Sequence, residues 1–254
     1  MTADGRIRRR GSHLILEGIV ILASILAAFW LEGWRADRDL ARDLTQEMES
    51  VDRELERNRE LVIAELAVLD RITSSSNALL TELRANPEAA TVAVTDTIAI
   101  LGTSWSPTID PSLGAVQALI GSGGLAQLPN PHLRQGLAGL SDRFQDALEE
   151  QVLARAMFSN EIFPLTRDRL DYRVWGEALV ELLDPGNAGT LSQEGLSVRS
   201  FPSAGTVDFP NSLAIRNALE IRRQWYLTAQ DELSQLRVFL DDLIAVMEDE
   251  LADR

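Results

Sequence analysis

The sequence predicts an all-α protein: a single N-terminal transmembrane helix continuing into a long helix of an elongated antiparallel helical bundle. Three observations lead there. Leu14–Trp34 is one apolar run behind an arginine-rich start; residues 35–84 lack a helix breaker and carry a heptad stripe; a matching stripe closes the chain. At 254 residues there is material for one substantial core or two small ones. The expected organisation is a basic cytoplasmic tail (1–13), an anchor (14–34) and an extracytoplasmic bundle (35–254) with an irregular segment at 184–210.

The anchor rests on length and on charge. Leu14–Leu31 would span about 27 Å as a helix, close to the ~30 Å of a bilayer core. Cleavage is not expected, because residue pairs two apart through the end of the run always include a large or charged side chain. Arg6, Arg8, Arg9 and Arg10 precede the span, whereas Arg35, Arg38 and Arg42 are interleaved with Asp37, Asp39 and Asp43. That bias predicts a cytoplasmic N-terminus. Trp30 and Trp34 lie one turn apart at the outer end, where indoles favour the interface. Glu17, one turn into the run, is placed most cheaply at the inner headgroup edge beside Arg10. A hydrogen bond across a helix dimer and a functional intramembrane role are the alternatives.

Beyond the span, Leu44, Met48, Val51, Leu55, Val62, Leu69, Ile72, Leu79 and Leu83 keep a period of 3.5, interrupted at Asn58, Glu65 and Ser76. Asn86-Pro87 ends this helix. Thr91–Trp105 reads as a shorter helix. Asp110-Pro111 supplies a cap and a first-turn proline for another, which Gly121-Ser122-Gly123-Gly124 stops. Asn130-Pro131 repeats the device for a helix to about Phe163 with Leu133, Leu137, Leu140, Phe144, Leu148 and Val152 on one face. Pro164 breaks or kinks it, and Leu165–Leu183 continues helically.

Turn residues crowd 184–210, with a short hairpin expected near Leu196–Phe201. The closing helix, Asn211 to about Ala252, carries Leu219, Tyr226, Leu233, Leu236, Leu240, Leu243 and Met247 in register. It should pack against the first, bringing Glu248, Asp249, Glu250 and Asp253 near Arg35, Arg38 and Arg42.

No chemistry is legible. There is no cysteine, and the formal charge is -15, concentrated after residue 34, which argues against nucleic-acid binding. His13 and His132 have no partners at ligand spacing. The glycine cluster follows no strand and precedes no lysine, so it reads as a helix stop rather than a phosphate loop. Asp241, Asp242, Glu248, Asp249 and Glu250 read as a solvated face. No catalytic, cofactor or metal residue is expected.

Two stretches carry a resemblance. In LEGIVILASILAAFWLEGWRADR the matching positions are Glu17, Ala28, Trp34 and Arg38. In AVQALIGSGGLAQLPNPHLR an A-x3-L-x2-S-G-x-L-x2-[IL]-x4-L-R element is met by Ala115, Leu119, Ser122, Gly123, Leu125, Leu128, Leu133 and Arg134, with Gly124 and Pro131 as departures. Together, over about 45 residues, these resemble a family of uncharacterised bacterial single-pass membrane proteins, a domain of unknown function. The resemblance implies an anchor plus an extracytoplasmic helical domain, and no activity to transfer.

The expected function is a non-catalytic interaction module of the cell envelope, with the lipid bilayer and a second copy or an envelope protein as partners. A ligand-sensing bundle is the first alternative, weakened by an N-terminal tail too short for an output domain. An enzyme is the second.

Overall fold

The computed structural model describes residues 4–103, 108–172 and 205–252; for residues 4–21, 23 and 97 it describes the backbone alone. One helix dominates. α1 (Asp4–Ala85) runs 82 residues, about 120 Å. It ends one residue before Asn86-Pro87, as expected, because proline clashes with the preceding turn. All nine apolar positions of its stripe are buried, and so are Asn58, Glu65 and Ser76. The three interruptions thus occupy core positions and complete the heptads.

The closing helix, labelled α7 (Leu213–Ala252), returns antiparallel along α1. The ion pairs Arg84–Glu220 (3.0 Å) and Arg59–Asp241 (3.6 Å) set the register. Every apolar residue predicted for its stripe is buried, joined by Ala218, Arg222 and Ala229. α5 (Leu140–Met157) packs on the other side of α7, with the Arg143 guanidinium 4.0 Å from the centre of the Phe239 ring. The architecture is a helical bundle, as the stripes predicted.

Several local expectations are corrected. Thr91–Trp105 is not one helix: β1 (Thr91–Thr95) precedes α2 (Asp96–Thr103), and residues 104–107 lie outside the described set. In Thr91-Val-Ala-Val-Thr four of five residues are β-branched and burial alternates, with Val92 and Val94 turned inward. That period of two, with branching that disfavours helix, decides the element. β1 pairs antiparallel with β2 (Thr206–Pro210), Val92 opposite Phe209 and Val94 opposite Val207. The end of the irregular segment is therefore a strand, while residues 184–204, with the hairpin expected at Leu196–Phe201, lie outside the described residues.

Asp110-Pro111 opens no helix. Residues 108–113 are irregular and α3 (Gly114–Gly121) begins four residues later, with Leu113 before it and no local side-chain cap. The helix after Asn130 breaks at Gly139 into α4 (Pro131–Ala138) and α5. On α5 the inward position belongs to Gln151, whereas Val152 is 57% exposed. Beyond Met157 a π turn, Phe158–Ile162, leads into the short α6 (Phe163–Thr166), with Pro164 in its first turn. The helix expected over Leu165–Leu183 is interrupted at residues 167–171 and helical again at Tyr172; residues 173–183 lie outside the described set.

Among the described residues no ion pair joins Glu248 or Asp249 to Arg35, Arg38 or Arg42, and Asp253 lies outside the described set. By the α1–α7 register, Ala252 ends about level with Met48, so Arg42 lies roughly 9 Å further along α1. Arg42 pairs instead with Asp39 at 3.5 Å, and Arg38 sits 5.4 Å from the Trp34 ring centre. Glu248 lies against Asp52, whose carboxyl is raised by burial and by the charges of Glu56 and Glu248.

Two apolar cores result. The first runs from Leu44 to Ile72 of α1, against α3, α4, α5 and residues 226–247 of α7. The second joins Leu79, Leu80 and Leu83 to the strands, α2, the π turn and Ile215–Leu219. Among the described residues no helix is long and apolar enough to cross a membrane, so the anchor expected at 14–34 finds no support there. The side chains of residues 4–21 and 23, Glu17 included, lie outside the described set.

Candidate functional site

Between Thr108 and Ala138 the chain forms a strap across α1, held by polar groups that α1 projects inward. Glu54 stands where the missing local cap of α3 would be. Its carboxylate accepts from the Ala115 N–H (3.0 and 2.9 Å to the two oxygens), the Val116 N–H (3.1 Å) and the Ser112 hydroxyl (2.9 Å). This cap comes from 61 residues away in sequence and complements the positive end of the α3 dipole. One turn on, Asn58 clasps the Ser112 backbone in both senses: Nδ2 donates to the carbonyl (2.7 Å), and Oδ1 accepts from the N–H (3.0 Å).

The motif at 115–134 builds the rest of the strap. Leu119, Leu128 and Leu133 are buried, and Leu125 packs against the first core. Ser122 Oγ lies 2.9 Å from Glu47 Oε2 and accepts from the Gly124 N–H (3.2 Å). Gly123 has φ +80°, the left-handed conformation that ends α3 and favours glycine. At Gly124 a Cβ would sit 2.7 Å from both Glu47 Oε2 and Leu119 Cδ1, so a larger residue here would have to displace those side-chain ends. Asn130 caps α4 as predicted, accepting from His132 and Leu133. The Arg134 guanidinium donates to the carbonyls of Leu128 and Pro129, closing the loop on itself. The motif residues are thus brought together, and their work is to fold the strap and fasten it to α1.

A second polar region lies where the two cores meet. Arg222 is fully buried on α7. Its Nη1 donates to the Gly102 carbonyl (2.9 Å), which also accepts from Ser76 Oγ (2.9 Å). The Tyr226 ring centre lies 4.7 Å from its guanidinium carbon. Among the described residues Nε and Nη2 have no hydrogen-bond partner. Burial pulls the guanidinium below its usual pKa, opposed by Tyr226. Thr73 and Thr103 are buried nearby in sequence, but their hydroxyls donate back to their own helices. Gln151, buried on α5, has neither amide atom paired.

The third is the outer seam of α5 and α7, where Glu150 and Glu232 meet. Each turns one oxygen, Oε2, inward without a donor. Burial first, then the hydrogen bond to and charge of Glu150, then Asp146 and Glu149, push Glu232 up to about 7. Three turns along the same helix Glu220 is held down to about 2, first by its hydrogen bond to Arg223, with Gln224 and Arg84 adding to it.

His132 is exposed and bonds Asp242 at 2.6 Å. Trp30 and Trp34 are exposed on a stretch of α1 that no other element covers. Among the described residues no group of three or more His, Cys, Asp or Glu could hold a metal ion. Sequence reasoning missed Glu47, Glu54, Arg222 and Gln151. Arg222 had a signal, since it lies three residues after Leu219 and four before Tyr226 in the α7 stripe.

No family model, no curated protein and no solved structure matches this chain.

Proposed function

We propose that the protein is a membrane-tethered, non-catalytic helical interaction module of the bacterial cell envelope. α1 anchors it in the inner membrane, with the N-terminus cytoplasmic and the bundle on the far side. One observation carries the reading. Between residues 22 and 43 no described side chain of α1 is buried, although Leu22, Ile25, Leu26, Phe29, Trp30 and Leu31 lie there. Phe29 is 67% and Trp30 72% exposed. A run of large apolar side chains on an otherwise acidic protein calls for an apolar surrounding, and the sequence from Leu14 onward extends the same run. The resemblance to single-pass envelope proteins points the same way. Shallow Glu17 is then a snorkelling acid, and Trp30 and Trp34 mark the outer interface.

The interaction role rests on the bundle's make-up. The strap and the heptad stripes are spent on packing, and the polar clusters contain no nucleophile poised beside a base. The partner is a second copy or another envelope protein.

Alkaline extraction of membranes from expressing cells tests the tether. The full chain should stay in the pellet, and reporters fused after Ala252 should be active only outside the cytoplasm. Release into the supernatant, with a cytoplasmically active reporter, would overturn the reading.

A further inference from the structure

We infer that the layer between the two cores is an anion-binding site, with Arg222 as its receptor and an oxyanion of the carboxylate or phosphate type as its ligand. The inference does not depend on the tether. Its basis is the way in which Arg222 is left incomplete. A guanidinium offers two forks: the Nη1/Nη2 end and the Nε/Nη2 side. Here Nη1 is spent on the Gly102 carbonyl, and the two nitrogens without partners, Nε and Nη2, are those of the side fork. That edge matches the two oxygens of a carboxylate or phosphate in a bidentate pair.

The rest of the layer holds this fork in place without neutralising it. Ser76 and Arg222 share the Gly102 carbonyl, tying α1 and α7 to the end of α2. Gly102 packs tightly there, since a Cβ would lie 3.1 Å from the Ser75 carbonyl oxygen. Tyr226 supplies a ring face and, through its side chain, partly offsets the cost of burial, but among the described residues no carboxylate pairs with the guanidinium. A buried cation without a counter-charge is costly, and an unsatisfied buried donor calls for a reason.

A second irregularity lies at the same level. Arg143 against Phe239 and Glu150 against Glu232 set the α5–α7 register. Carried forward, that register puts Arg222 opposite Asn160, the centre of the π turn Phe158–Ile162, which packs on α7. Such turns are rare and concentrate at functional sites. Because Arg222 is wholly enclosed, the ligand enters by local opening of this layer, so it binds slowly and then locks α2 and the π turn against α7.

The test is thermal unfolding of the full chain in detergent. Sodium acetate, benzoate, inorganic phosphate and chloride are compared at equal ionic strength and pH. Acetate and benzoate report the carboxylate class, and phosphate its own. At tens of millimolar, at least one oxyanion should raise Tm by about 3 °C or more above chloride. Arg222→Lys keeps the charge but loses the fork, and should weaken that oxyanion about tenfold or more. Equal Tm values in all four salts overturn the proposal from the wild-type protein alone. So does an oxyanion effect that Arg222→Lys leaves unchanged.

Discussion

The strap junction and the layer between the cores are both polar and both buried, yet they are built on opposite principles. At the junction both oxygens of Glu54 receive donors, and Asn58 satisfies both backbone groups of Ser112. At the layer, Arg222 leaves two donors unmatched among the described residues. A matched polar contact in a core fixes register, because any shift would strand buried groups. An unmatched one contributes nothing to register and lowers stability. The first kind explains why the strap docks where it does, and the second marks the place where the fold is incomplete on its own.

The largest expected effect breaks the matched side. Glu54→Ala strands the first N–H groups of α3 and the Ser112 hydroxyl, and should cost about 2–4 kcal/mol in chemical denaturation. A loss below ~0.5 kcal/mol would mean that the strap is held by its leucines alone. Next comes the unmatched side, with the opposite sign. In chloride, Arg222→Met should be neutral or raise stability by about 1–3 kcal/mol, because it removes an uncompensated charge. If it destabilises as much as Glu54→Ala, the contrast between the two regions fails.

A smaller effect sharpens the same contrast along α7. Glu232, raised to about 7 from 4.5, favours the fold in its protonated form. Its contribution is fully present below pH 4.5 and is lost as pH rises toward 7. Glu220, lowered to about 2, behaves oppositely: its contribution is present above pH 4.5 and lost as pH falls toward 2. With both groups partly solvated, a decline of about 3 °C in Tm between pH 5 and 7.5 is expected, and Glu232→Gln should flatten it. An unchanged slope in that variant would assign the decline to other acids. The smallest effect is Gly123→Ala, about 0.5–1 kcal/mol, for placing a side chain at φ +80°. A neutral result would show that the turn after α3 relaxes freely.

How much of this was legible varies with the period of the pattern. The stripes of α1 and α7 could be read to the residue, since heptad spacing over dozens of positions leaves one face to bury. β1 was lost because five residues of alternation sit next to an apolar helix and mimic its start. Asp110-Pro111 misled for a different reason: a local cap signal was present, but the cap that operates, Glu54, comes from another helix. Tertiary caps leave no local trace. The same holds for the fork of Arg222, because sequence places it in the stripe without saying what faces it. The motif at 115–134 was visible as a pattern, and its role became clear only with Glu47 and Glu54 beside it.

The first forty residues of α1 have mechanical consequences as well. From Asp4 to Asp43 the helix runs about 60 Å, no described side chain is buried from residue 22 to Asp43, and this stretch meets the bundle where Leu44 and Met48 enter the core. A tilt of about 10° at that joint swings the far end by about 10 Å, geometrically, for a helix of this length. Glu47, which grips the strap through Ser122, sits at the joint itself. The strap is therefore fastened at the joint between the uncovered stretch of α1 and the bundle.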